Sequence, residues 1–130
     1  MVGIVVSPKR YTHRLISRSG EFVVSAPSLE MLSDVWVAGK SGPAKLAEMG
    51  ITLVPSTKIK TPGIKEALAN LDCKVVDARD YCDHIWFVGE LVETAYNEHD
   101  GVPNVRKANF LEHSAWVEFL TFEKKIRGSE

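Results

Sequence analysis

Cysteine is scarce. Cys73 and Cys82 are the only two in 130 residues, too few for a disulfide framework and without metal-ligand spacing around them. They read as reduced thiols in a cytoplasmic chain. No apolar run approaches the length that crosses a bilayer, so no transmembrane helix and no membrane partner are expected. The first residues lack the basic, apolar and small-residue succession of a secretory signal, which again points to the cytoplasm. An excess of positive charge is missing too. Sixteen Lys and Arg stand against 17 Asp and Glu, a net charge of −1, which argues against a nucleic-acid partner. His13, His84, His99 and His113 sit in separate segments with no ligand-like spacing, so no metal is expected. Neither a nucleophile elbow nor a Ser–His–Asp pattern is legible.

What remains is 45% hydrophobic and 25% charged, enough to build one ordinary globular core. "VGIVV" (residues 2–6) is apolar on successive positions and reads as a strand covered on both faces. Thr12 is a candidate cap for a short helix over residues 14–18, ended by Gly20. "EFVVSAP" (21–27) is a second strand stopped by its proline. Ser28 can start a helix running to about residue 38, and Pro43 another that Gly50 closes. "ITLVPS" (51–56) reads as a short strand and 57–62 as a loop. A helical turn after Gly63 leads into a strand on which Leu71, Cys73 and Val75 alternate with polar residues. "YCDHIWFVGELVETA" (81–95) is the strongest strand, with Gly89 a bulge or a close approach. A polar link over 77–83 makes the last two an antiparallel hairpin. "NEHDGVPN" (97–104) is a turn-rich loop, and the following segment to residue 122 has mixed periodicity. The fold class is therefore mainly β with short helices. One domain spans residues 1–122, and a charged tail that frays spans 123–130.

Three constellations could carry chemistry. The first is "SPKRYTH" (7–13), at the mouth of the opening strand. Lys9 and Arg10 offer charge, Ser7, Tyr11 and Thr12 offer hydroxyls, and a helix N-terminus follows. The segment is either a cradle for a phosphate or a solvated turn, and the residues alone leave both open. The second is "AGKSGPAKL" (38–46), with Lys40, Ser41 and Lys45. Its spacing is not that of a nucleoside-triphosphate loop, and a plain helix–helix connection is the simpler reading. The third is His84, beside Asp83 at the start of the long strand, where a catalytic and a surface role compete.

Taken in order, "VGIVVSPKRYTHRLISRSGEFVVSAPSLEMLSDVWVAGKSGPAKLAEMGITLVPS" and "IKEALANLDCKVVDARDYCDHIWFVGELVE" resemble the flavin reductase-like, FMN-binding split β-barrel family of the flavoredoxin type. That resemblance implies a split barrel that dimerises and holds FMN near the subunit interface. It implies that Ser7, Arg10 and Thr12 bind the FMN phosphate, with Lys9, Tyr11 and His13 adjacent. Ser41 and Lys45 would help to enclose the cofactor, and His84 would lie near the flavin and the reductant. Cys82 stands where the family often has glycine. Strands that usually precede "VGIVV" in the family are missing, so a shortened barrel is expected. The implied activity is an NAD(P)H:flavin oxidoreductase that passes hydride from NADH or NADPH to flavin N5. The alternatives are a non-catalytic FMN-binding or electron-transfer protein, and a dimeric remnant without flavin.

Overall fold

The computed structural model describes residues 1–40 and 42–96, together with the backbone of 112–115, 118–120 and 125–127. Strand β1 (Val2–Val6) leads into helix α1 (Tyr11–Ser19), which turns back along strand β2 (Glu21–Ala26). A 3-10 turn (Leu29–Met31), α2 (Leu32–Ala38) and α3 (Lys45–Glu48) follow, then a two-residue ladder between β3 (Leu53–Val54) and β4 (Gly63–Ile64). The long strands β5 (Ala69–Tyr81) and β6 (His84–Tyr96) form the centre of a four-stranded antiparallel sheet, in the order β1-β6-β5-β2. β7 (Glu112–Ala115), β8 (Glu118–Leu120) and β9 (Lys125–Arg127) form a separate three-stranded sheet. The expected charged tail thus contains a strand, while the segment 97–104 lies outside the described residues.

One face of the main sheet carries the core. Ile16 of α1 packs with Phe22, Cys73 and Phe87, and Val2, Ile4, Val6, Val24, Val75 and Ile85 surround them. Gly89 is a close approach: a Cβ there would fall 2.6 Å from Phe22 Cζ and 2.8 Å from Cys73 Cβ. The β5–β6 ladder shifts register twice, with Val92 of β6 skipped between Asp72 and Cys73 and Val76 of β5 skipped next to the Val75–Gly89 pair. α1 ends as its sequence requires. Gly20 takes a left-handed φ of 68° and donates its N–H to the Ile16 carbonyl, a geometry without steric cost only for glycine.

Several local expectations are corrected. β1 is an edge strand among the described residues, and its burial alternates, so only one face is covered. Its unbroken apolar run hides that difference, because Gly3 and Val5 face outward. Thr12 does not cap α1; Arg10 holds the cap position without a side-chain hydrogen bond, and the helix begins at Tyr11. The β5–β6 link is two residues, not seven. Tyr81 pairs with His84, and Cys82 at φ 58° and Asp83 make the turn. Asp77, Arg79 and Asp80 belong to the strand, because its outer half is solvated. Gly63 opens β4 rather than a helical turn. Asp72 alternates with apolar residues as expected but is itself buried, where it accepts a hydrogen bond from Ser56 Oγ. That bond satisfies a carboxylate taken out of water. The loop over 56–61 is held similarly elsewhere, by Glu93 at Thr57 and by Glu21 at Lys60 and Thr61.

Candidate functional site

Two clefts share the loop after β1. The smaller, about 140 Å3, is lined by Lys9, Arg10, Tyr11, Thr12, Arg14, Lys40, Gly42, Pro43 and Lys45. The larger, about 550 Å3, is lined by Val5, Val6, Ser7, Lys9, Arg10 and His84. Lys9 and Arg10 form the ridge between them. A turn closed by the Arg10 N–H on the Ser7 carbonyl, at 2.9 Å, aims both side chains.

The small cleft has the character of an anion socket. α1 starts on its wall with no side-chain cap and no acidic residue in its first turn. The positive end of the helix dipole and its first N–H groups are therefore not neutralised by α1's own residues. Lys45 donates to the carbonyls of Ala38 (2.7 Å) and Lys40 (3.3 Å), near the C-terminus of α2, and this fixes the far wall. The Arg14 guanidinium sits 5.4 Å from the Tyr11 ring centroid, a cation–π contact that positions it.

His84 is the first residue of β6 and stands in the larger cleft. Its Nδ1 lies 2.9 Å from Asp83 Oδ1, and this hydrogen bond, together with the imidazole's charge, holds the Asp83 carboxyl below its ordinary range. The pairing fixes the ring's orientation, with Nε2 as its second polar atom. Val5 and Val6 give the cleft apolar walls.

The structure therefore brings Ser7, Lys9, Arg10 and His84 together in one cleft, and Lys9, Arg10, Tyr11, Thr12 and Lys45 in the other. His13 lines neither. It turns toward the sheet, with its ring centroid 5.7 Å from that of Phe87 and Nε2 3.4 Å from Ser17 Oγ. The helical turn that aims Thr12 outward aims His13 inward. Ser41 lies outside the described residues. Arg14 was not singled out by sequence reasoning, and Lys40 was named only in the second constellation, apart from the loop after β1 that it joins here. Arg14 could have been found from helical spacing, since it stands four residues after Arg10.

A further cavity, about 820 Å3, lies elsewhere among the described residues, along β2 and α1. Its walls include Ile4, Leu15, Ile16, Phe22 and Val24. That lining suits apolar groups, whereas the cationic side chains gather at the Lys9–Arg10 ridge. Among the described residues, no group of three or more His, Cys, Asp or Glu is placed to hold a metal ion, and no helix is long and apolar enough to cross a membrane.

Residues 1–110 match the family described as flavin reductase like domain. An uncharacterized protein of Pyrococcus abyssi is 57% identical over 134 residues, spanning all of this chain and 77% of that protein. Among solved structures, flavoredoxin from Methanosarcina acetivorans superposes with a TM-score of 0.77 at 25% identity, over 98% of this chain and 68% of that one. An NADH:FAD oxidoreductase of Streptomyces globisporus gives a TM-score of 0.70 over 98% of this chain and 68% of that one. At 15% identity it is similar in fold alone.

Proposed function

From the premise that the chain belongs to the flavin reductase-like family and carries its split-barrel fold, we propose that it binds FMN at the Lys9–Arg10 ridge and acts as an NAD(P)H-dependent flavin oxidoreductase. The observation that carries this reading is the socket: cations converge on a helix N-terminus that has no cap and no acid of its own. A phosphate monoester carries about −1.5 to −2 charge and three acceptor oxygens at neutral pH. The socket answers both needs. Lys9, Arg10 and Lys45 supply charge, Thr12 and Tyr11 supply hydroxyls, and the first turn of α1 supplies N–H donors. The residues present therefore fit the phosphate end of FMN.

Bound FMN would supply the hydride acceptor, N5, which takes two electrons and a hydrogen nucleus from a dihydronicotinamide and leaves it oxidised. The chain's own residues bind and orient. Arg10 and Lys9 neutralise the phosphate. Val5 and Val6 give the larger cleft an apolar wall for the flavin ring. His84, held by Asp83, faces that cleft and can donate a hydrogen bond to a bound ring or reductant. No proton transfer by the protein is obligatory for hydride transfer.

A second copy of the chain is proposed to cover the sheet's outward face. Val5 and Trp86 are register partners, and Tyr81 lies against Trp86 with ring centroids 6.1 Å apart. They are 61%, 45% and 53% exposed, a contiguous apolar patch of the kind that marks an interface. Val5 also lines the larger cleft, so such an interface would adjoin the cofactor. Sedimentation equilibrium should return twice the 14.4 kDa chain mass, and a monomer would remove the dimer from the account. The catalytic reading is tested by titrating the purified protein with FMN and adding NADH or NADPH without oxygen. Loss of the flavin absorption band supports it. Tight FMN binding with no bleaching by either nucleotide leaves a flavin carrier rather than an enzyme.

A further inference from the structure

β2 is the second edge of the four-stranded sheet among the described residues, and the cavity of about 820 Å3 runs along it. Consecutive β2 residues, from Glu21 to Ser25, line that cavity. Leu15 and Ile16 of α1 wall it on one side, and the loop over 60–62 walls it on the other. In an antiparallel strand the N–H and C=O of one residue point the same way, and the direction alternates from residue to residue. The Gly20 carbonyl accepts from the Val75 N–H on β5. Ser19 Oγ then accepts the Glu21 N–H at 3.2 Å and donates to the Glu21 carbonyl at 3.1 Å. The Glu21 groups therefore point away from β5, and those of Val23 and Ser25 follow the same phase. Ser19 serves Glu21 alone. Among the described residues, no backbone group pairs with Val23 or Ser25 on that outer side. Both residues are half-buried, where unpaired N–H and C=O groups are costly.

An added strand would satisfy these groups, and its side chains would alternate between two unlike walls. Those on the face of Phe22 and Val24 would meet Leu15 and Ile16. Those on the opposite face would meet the loop that Glu21 holds through the Lys60 and Thr61 N–H groups. Arg18 and Lys60 both line the cavity, and neither side chain forms an ion pair among the described residues. We propose that this groove docks an extended peptide segment of a partner protein, added antiparallel to β2. The segment is apolar at alternate positions and acidic where it passes Arg18 and Lys60. Backbone pairing at Val23 and Ser25 holds it, and the two walls select its side chains.

The test uses the full chain and an amidated, fluorescein-labelled peptide, Thr-Val-Thr-Val-Glu, followed by fluorescence anisotropy. Saturable binding is expected. Val23→Pro removes one outward N–H at an edge position where proline is tolerated, and should weaken the peptide about 3- to 10-fold, the loss of one hydrogen bond. Two N-methylated peptides make the same test without altering the protein. One is methylated on the second and fourth nitrogens, the other on the third and fifth. Only one phase of peptide N–H groups faces β2, so one of the two should bind like the parent and the other should fail. Equal binding of the two, or no saturable binding of the parent, overturns the proposal. Lys60→Gln should weaken the peptide ending in Glu and leave one ending in Gln unchanged; an equal effect on both would refute the acidic preference. A Val23→Pro chain that sediments at half the wild-type mass would show that a second copy occupies this edge, and would also overturn the peptide seat.

Discussion

At Gly89 one added methyl group would meet buried side chains from β2 and β5. Gly89 lies in β6 opposite Val75 and under the Phe22 ring. In Gly89→Ala the new Cβ would sit 2.6 Å from Phe22 Cζ and 2.8 Å from both Phe22 Cε1 and Cys73 Cβ. Carbon atoms rest about 3.5–4.0 Å apart, so the ring or the strand must retreat by roughly 1 Å. There is little room to retreat, since Phe22 is 5% exposed and Cys73 is fully buried. Overpacking of this kind costs about 1–3 kcal/mol, and replacing a strand glycine returns up to about 1 kcal/mol of backbone entropy. The net expectation is a loss of about 1–2 kcal/mol. Urea denaturation should show a lower midpoint with an unchanged slope. Phe22→Leu in the same chain should recover part of the loss, so a double-mutant cycle should report a coupling between positions 22 and 89. A Gly89→Ala protein as stable as wild type, or one that Phe22→Leu does not help, would refute the packing described here.

The hairpin turn offers a gain. Cys82 sits at φ 58°, where an L-residue pays about 1 kcal/mol that glycine does not, so Cys82→Gly should raise stability by about that amount in thermal or urea unfolding. The two thiols should separate sharply. Burial pushes the Cys73 thiol pKa up, and the neighbouring Asp72 charge adds to it, whereas Cys82 is exposed. A thiol reagent should therefore titrate one cysteine in the native protein and two after unfolding; two fast native thiols would contradict the burial. Because folding raises the Cys73 pKa, its contribution to stability is complete below the ordinary thiol pKa. It is lost as pH rises through the higher folded value, so urea midpoints should fall in that alkaline window, and less so in Cys73→Ala.

The legibility of the chain was uneven, for physical reasons. β1, the course of α1 to Gly20 and β2 follow from short-range rules: a β-branched run, a helix closed by glycine, a strand ended by proline. The Gly89 contact was signalled by a glycine inside an apolar strand, although only the fold shows that Phe22 is what approaches it. Boundaries that depend on distant partners were not legible. The β5–β6 link looked long because solvated strand residues and turn residues share a composition, and β1 looked covered because an edge strand with an apolar outer face has no polar alternation. In the site, Ser7, Lys9, Arg10, Tyr11 and Thr12 are consecutive or nearly so, and the loop could be read as one unit. Lys40 and Lys45 stood out in the second constellation, and the family resemblance alone tied Lys45 to a cofactor. Arg14 and Lys40 join the socket through the placement of α1 and α2, which no local pattern reports. His13, read as part of the loop, points to Phe87 because helical geometry sends adjacent residues in different directions.

The claim beneath all of this is that a phosphate docks on Arg10. FMN and riboflavin differ by that phosphate alone, so their binding to wild type and to Arg10→Ala, followed by flavin fluorescence at fixed salt, isolates it. Loss of a charge-assisted hydrogen bond worth about 1.5–3 kcal/mol predicts that Arg10→Ala weakens FMN by roughly 10- to 100-fold and leaves riboflavin nearly unchanged. An equal loss for both flavins, or no loss for either, would contradict the account.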